Sequence, residues 1–116
     1  IMEMASQQAQ NIMDPYFRTL VLSFQAHTMY TMGMEGAADR FTEAYGSLQE
    51  IADPIFRITA LGYLGADLMN AEFKERAVKI FEEAKIIVMS LSDEAKRKEA
   101  LLFLQRQAAP SGSQKG

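Results

Sequence analysis

The sequence predicts an all-α protein of antiparallel helix hairpins that repeat along the chain, the arrangement called an α-solenoid. Two observations predict this fold class. Apolar residues recur every three or four positions through most of the 116 residues, whereas the strict alternation that marks a β-strand extends nowhere over a useful length. A group of residues also returns at intervals of 39–40 positions, which indicates a repeat architecture.

The repeat is clearest at the segment DPYFR at 14–18, which returns as DPIFR at 53–57 and as DEAKR at 93–97. Seven positions recur in this register, and helices of a simple bundle would not need to repeat. Equivalent residues downstream of each Asp are Leu22, Leu61 and Leu101, and the aromatics Phe24, Tyr63 and Phe103. Equivalent residues upstream are Met2, Phe41 and Phe81; Ala5, Ala44 and Ala84; Ala9, Leu48 and Val88; and Ile12, Ile51 and Leu91.

Six helices follow from the apolar spacing and from the signals at the helix ends. Asp14, Asp53 and Asp93 suit the N-cap because their carboxylates accept hydrogen bonds from free backbone N–H groups, and a Pro at the next position has its φ preset. Turns are expected at Gly33 and Asn70. The predicted helices cover about 2–13, 15–32, 34–52, 54–69, 72–91 and 93–107.

These helices form one predicted domain, residues 1–107, because a chain of this length supports a single core. Written as the two helices of a repeat, A and B, their order is B, A-B, A-B, A. Residues 108–116 contain Pro, Gly and Ser and are predicted to form a flexible tail.

The second unit resembles a tetratricopeptide repeat at Leu61, Leu64, Gly65, Leu68, Ala77, Phe81 and Ala84. The resemblance extends over 2–107, although the period of 39–40 residues exceeds the usual 34 and the closing Pro of the family is absent. It implies a right-handed stack of helix pairs whose A helices line a concave groove. The implied function is that of a scaffold for protein–protein interaction, without enzymatic activity.

Composition excludes several classes of function. The chain has no Cys and one His, which excludes disulfides, thiolate sites and sites of several histidines. A net charge of −3 argues against a nucleic-acid binder, and no stretch is long and apolar enough to span a membrane. We expect a cytoplasmic protein without a cofactor or catalytic residues, since the common catalytic motifs are missing.

The predicted groove binds a protein or peptide partner. If the geometry of the family applies, the A helices direct a mixture of small, polar and aromatic residues into the groove, and such a surface suits an extended peptide or a docked helix. Tyrosine and arginine are frequent interface anchors. The predicted partner-binding residues are Ser23, His27, Tyr30, Thr59, Met69, Asn70, Leu102 and Arg106.

The sequence is also compatible with two other functions. His27 together with Met29, Met32 and Met34 could bind a soft metal ion or a small ligand, although methionine also fills cores and adaptable interfaces. Alternatively, the chain could be the regulatory subunit of an enzyme whose catalytic residues lie on another chain.

Two further predictions concern the ends of the stack and the charge pattern. Self-association is expected because the first helix presents Met2, Ala5, Ala9, Ile12 and Met13, and the last presents Leu101 and Leu104. Residues 1–70 carry −5 and residues 71–116 carry +2. This difference indicates two differently solvated surfaces, or else a polarity that orders a head-to-tail assembly or orients a charged partner. The recurring Arg18, Arg57 and Arg97 are predicted to cover the junctions between units.

Overall fold

The computed structural model describes residues 14–109 and places them in five α-helices. No strand occurs within these residues, which confirms the all-α class. The helix predicted at 2–13 and the tail from residue 110 lie outside the described residues, and Ala108 belongs to the last helix instead of to the tail. The helices are α1 Pro15–Thr31, α2 Ala37–Leu48, α3 Pro54–Asn70, α4 Lys74–Met89 and α5 Glu94–Ala108.

The helices lie in two layers. The A helices α1, α3 and α5 lie side by side, and the B helices α2 and α4 pack against them, so that α1–α2 and α3–α4 are the two hairpins. Each B helix also touches the next A helix along the chain. The overall dimensions of 44 × 38 × 20 Å fit two layers of helices, each about 10 Å thick. The structure is therefore a helical-repeat-like, all-α fold.

The three predicted N-caps are confirmed. Asp14 accepts a hydrogen bond from the backbone N–H of Tyr16 at 2.8 Å. The carboxylate of Asp53 accepts two such bonds in the first turn of α3, and that of Asp93 accepts two in the first turn of α5. The recurring Asp residues therefore occupy equivalent surroundings, as the repeat predicts.

The turns within the hairpins begin where predicted but extend further. Gly33 and Gly36 have φ of +71° and +97°, values that favour glycine, and α2 starts after Gly36 instead of at residue 34. In the second hairpin Glu72 has a φ of +66°, and α4 starts at Lys74 instead of at residue 72. The helix that was predicted to end at residue 52 ends at Leu48.

The core between the layers is formed by the repeated apolar positions. The equivalent pairs Phe41 with Phe81, Ala44 with Ala84, and Leu48 with Val88 are all buried. The B helix of the second hairpin approaches α3 closely at Gly65, where a Cβ atom would lie 2.7 Å from Cζ of Phe81. Gly65 is therefore needed for this approach, because any side chain would displace the buried ring.

The recurring aromatics are less buried than the recurring leucines. Leu22 and Leu61 are 1% and 0% exposed, whereas Phe24 is 66% exposed and Tyr63 is 39% exposed. The ring of Tyr63 contacts that of Phe103 on α5, which is its repeat equivalent, with the centroids 5.3 Å apart.

The recurring arginines contact the C-terminal ends of the B helices. Arg18 Nε donates to Ser47 Oγ at 2.8 Å. Arg57 Nη2 donates to Gln49 Oε1 at 2.7 Å, and Arg97 Nη1 donates to the carbonyl oxygen of Leu91 at 2.6 Å. The contacts of Arg57 and Arg97 join consecutive units, as predicted, whereas Arg18 contacts the B helix of its own hairpin.

Candidate functional site

The candidate site is a surface formed by the three A helices, called here the groove face. Two contacts hold these helices in register. Ser23 on α1 donates a hydrogen bond of 2.7 Å to Asp67 on α3. The rings of Tyr63 on α3 and Phe103 on α5 meet edge to face with their centroids 5.3 Å apart. A partner that binds this face would therefore meet residues whose relative positions are already fixed.

The larger depression on the groove face has a volume of about 540 Å³ and lies where all three A helices contribute side chains. No residue of a B helix lines it within the described part of the chain. Its lining combines aromatic rings, amides and one carboxylate, which suits a ligand with both apolar and polar groups. The lining residues are Tyr16, Leu20, Tyr63, Ala66, Asp67, Asn70 and Gln107.

Asp67 dominates the electrostatics of this depression. Burial raises the pKa of its carboxyl group because removal from water disfavours the charged form. The hydrogen bond from Ser23 and the nearby charge of His27 act in the opposite direction and favour the carboxylate. A perturbed pKa inside a depression is typical of functional sites, although structural networks also produce it.

A second depression, of about 410 Å³, lies between the N-terminal halves of α3 and α5. Thr59 and Phe103 belong to its lining, together with the charged side chains of Lys96 and Glu99. Tyr63 of the first depression contacts Phe103 of the second, so the two depressions adjoin. Together they offer an elongated surface along α3.

Some of the predicted partner-binding residues belong to these depressions. Asn70 is exposed and lines the first, and Thr59 lines the second while its hydroxyl donates to the carbonyl oxygen of Ile55. His27 is half-buried and acts on Asp67 through its charge. The prediction that Ser23 faces the groove is wrong, because Ser23 is 1% exposed and its hydroxyl binds Asp67 in the α1–α3 interface.

The structure does not bring the other predicted residues to either depression. The hydroxyl of Tyr30 donates to Glu72 beside the α3–α4 turn, and this bond raises the pKa of the tyrosine. Met69 is half-buried and packs against the core. Leu102 and Arg106 are exposed on α5 but line neither depression.

Sequence reasoning missed Tyr16, Tyr63, Asp67 and Gln107. On α3, Thr59, Tyr63, Asp67 and Asn70 follow a helical spacing of four, four and three, so they share one stripe. That spacing could have identified the stripe from the sequence. The choice of Phe103 and Gln107 over Leu102 and Arg106 could not be made so easily, since it depends on which side of α5 packs against α3.

Met29 and Met32, two of the residues considered as soft ligands, lie in different surroundings. Met29 is 6% exposed in the core, whereas Met32 is 66% exposed beyond the end of α1. Within residues 14–109 no three His, Cys, Asp or Glu side chains gather in a way that could hold a metal ion. None of the helices in this range has the length and apolar character needed to cross a membrane.

Comparisons with known proteins support the fold. The chain superposes on the crystal structure of Ton1535 from Thermococcus onnurineus NA1 with a TM-score of 0.84 and 26% sequence identity. The match covers 91% of this chain and 30% of that one, so the chain spans about 30% of the length of Ton1535. No protein-family model and no curated protein matches the sequence. The likeness is one of all-helical architecture.

Proposed function

We propose that this chain is a non-enzymatic helical-repeat module of the cytoplasm whose groove face binds a segment of a protein or peptide partner. The observation that carries the proposal is the pair of adjoining depressions, of about 540 and 410 Å³, on a surface built by A helices. Their lining of tyrosine, phenylalanine and amide side chains is typical of surfaces that bind peptides.

Physical chemistry favours binding over catalysis on this surface. Tyrosine and phenylalanine offer a large contact area and lose little side-chain entropy, and the stacked helices hold them in place before the partner arrives. The close packing of Gly65 against Phe81 supports the proposed relation to tetratricopeptide repeats, whose A helices are used in this way. The groove face therefore recognises its partner by shape, and the affinity comes from the apolar area that is buried on binding.

Peptide display against the folded chain tests the proposal. Peptides that are enriched in the display would then be titrated calorimetrically against the wild-type chain and two variants. Ala66→Arg places a long side chain in the larger depression, and Gly46→Arg adds the same charge on α2, where no atom lies within 4 Å of the new Cβ. We expect Ala66→Arg to weaken binding at least about tenfold and Gly46→Arg to leave it unchanged. Equal effects of the two variants, or no enriched peptide, would refute the proposal.

Exposed apolar residues on α1 favour self-association as a second property. Phe17 and Phe24 on α1 are 57% and 66% exposed, and they are the repeat equivalents of Phe56 and Tyr63 on α3. Phe56 contacts Tyr16 of α1. The outer side of α1 therefore presents the type of surface by which one A helix packs on another.

The C-terminal side of the stack differs from the prediction. Leu104, expected to be exposed there, is 2% exposed because it packs in the core, and Leu101 is half-buried. Exposed apolar residues in this part of the chain include Ile86 and Met89 of α4, at 72% and 69% exposure, and Leu102 of α5, at 52%. Two unlike apolar ends, together with the unequal charge of the two halves, support a head-to-tail contact between copies.

Light scattering over a range of concentrations tests self-association. We expect a rise in mean mass from low to high micromolar concentration in the wild-type chain, and a lower mass for the double variant Phe17→Ser and Phe24→Ser. Both side chains are exposed, so the variant should keep the helical circular dichroism of the wild type. A wild-type chain that stays monomeric at high micromolar concentration would refute this part of the proposal.

A further inference from the structure

The larger depression has an electrostatic character of its own. Asp67 is its carboxylate, and among the described residues neither lysine nor arginine contributes to its lining. The other polar groups are the hydroxyls of Tyr16 and Tyr63 and the amides of Asn70 and Gln107, each of which carries an oxygen acceptor beside its donors. The depression therefore offers acceptors and a negative charge to whatever enters it.

The carboxylate of Asp67 is only partly satisfied by the chain. Its Oδ2 accepts the hydrogen bond from Ser23, and none of the ion pairs within residues 14–109 includes Asp67. His27 is the neighbouring group whose charge favours the ionised form. A half-buried carboxylate that accepts from a neutral hydroxyl and forms no ion pair in the described part of the chain is stabilised in its charged form by a cation that binds beside it.

Two aromatic rings border the same space. Tyr16 and Tyr63 both line the depression, one from α1 and one from α3. The face of a tyrosine ring attracts a cation through its quadrupole, most often the guanidinium of arginine. A carboxylate that shares a depression with two tyrosines thus recognises a cation better than an apolar or acidic group.

We infer that this depression binds the basic side chain, arginine or lysine, of the partner segment, with Asp67 as its counter-ion and Tyr16 and Tyr63 against its apolar stem. The inference rests on the proposed function and specifies the chemistry of the partner. The amide oxygens of Asn70 and Gln107 accept the remaining N–H donors of the cation. The partner is therefore a segment with a single basic anchor, and the adjoining depression holds its neighbouring residues.

The test uses the peptides enriched by display on the full chain. In each peptide, every basic residue is replaced in turn by norleucine, which keeps the stem, or by citrulline, which keeps the shape of arginine without its charge. We expect one position at which both replacements weaken binding at least about tenfold. We also expect Asp67→Asn to cause a similar loss, while Glu82→Gln, which removes the charge of an exposed carboxylate on α4, causes none.

The outcomes separate the two proposals. Peptides that bind without a basic anchor, or that bind Asp67→Asn as tightly as the wild type, overturn the inference but leave the proposed function in place. If display enriches no peptide, both proposals fail. Free L-arginine that binds as tightly as the peptide would also overturn the inference, because the depression would then be a site for a small molecule.

Discussion

Replacing Gly65 by alanine tests the close approach of α3 and α4 on which the two-layer arrangement depends. The new Cβ would lie 2.7 Å from Cζ of Phe81 and 2.9 Å from its Cε1 and Cε2. Ordinary contacts begin at 3.4 Å, so the ring has to withdraw by about 0.7 Å. Phe81 is 6% exposed and is surrounded by the core, which leaves it little room to move.

The expected change in the free energy of unfolding combines two opposing effects. Overpacking of a filled core costs about 1–3 kcal/mol, and we take about 2–3 kcal/mol because three atoms of a buried ring are involved. Alanine is a better helix former than glycine by about 1 kcal/mol. Gly65→Ala should therefore destabilise the chain by about 1–2 kcal/mol in spite of its higher helix propensity.

Gly46→Ala is the matched control, since Gly46 is helical and no atom lies within 4 Å of its added Cβ. This variant should gain about 0.5–1 kcal/mol from helix propensity alone. Urea unfolding of the two variants, followed by circular dichroism, should then show stabilities that differ by about 1.5–3 kcal/mol. Equal stabilities of the two variants would mean that Phe81 is not held against α3 as the structure shows.

Two further predictions concern Asp67 and Asp53. Burial raises the pKa of Asp67, so folding favours the protonated form of its carboxyl group. The protonated group contributes to folding stability below the ordinary pKa of about 3.9, and this contribution is lost as pH rises through the raised pKa. In urea unfolding, the stability of Asp67→Asn should therefore rise relative to that of the wild type between about pH 3.5 and pH 7. A difference in stability between the two proteins that does not change with pH would contradict the burial of the carboxylate. Asp53→Ala removes the acceptor of two backbone N–H groups at the start of α3, and should cost about 1 kcal/mol in the same assay. Exposed Glu82→Ala is its control, and an equal effect of both variants would show that the cap contributes nothing specific.

Local rules were sufficient to predict the five helices of residues 14–109. Asp14 and Asp53 each precede a proline, and an Asp-Pro dipeptide favours the start of a helix. The N-cap hydrogen bond and the preset φ of proline both act within one turn, so they can be recognised from the sequence alone. The apolar spacing likewise predicted that Phe41 and Phe81 would be buried, as they are. The helix ends were less accurate, since the positive φ of Gly36 and Glu72 lengthened two turns beyond what the sequence indicated.

The sequence by itself determined the helices, their repetition and the apolar side of each, since these depend on spacing along the chain and on interactions within a turn. The tertiary structure decided which flank of each A helix meets its neighbour, and so which side chains line the depressions. Ser23 and Asp67 are 44 residues apart, and Tyr63 meets Phe103 across two helices. Such contacts depend on the rotation of one helix against another, and a rotation of one residue position, 100° around the axis, exchanges Leu102 for Phe103.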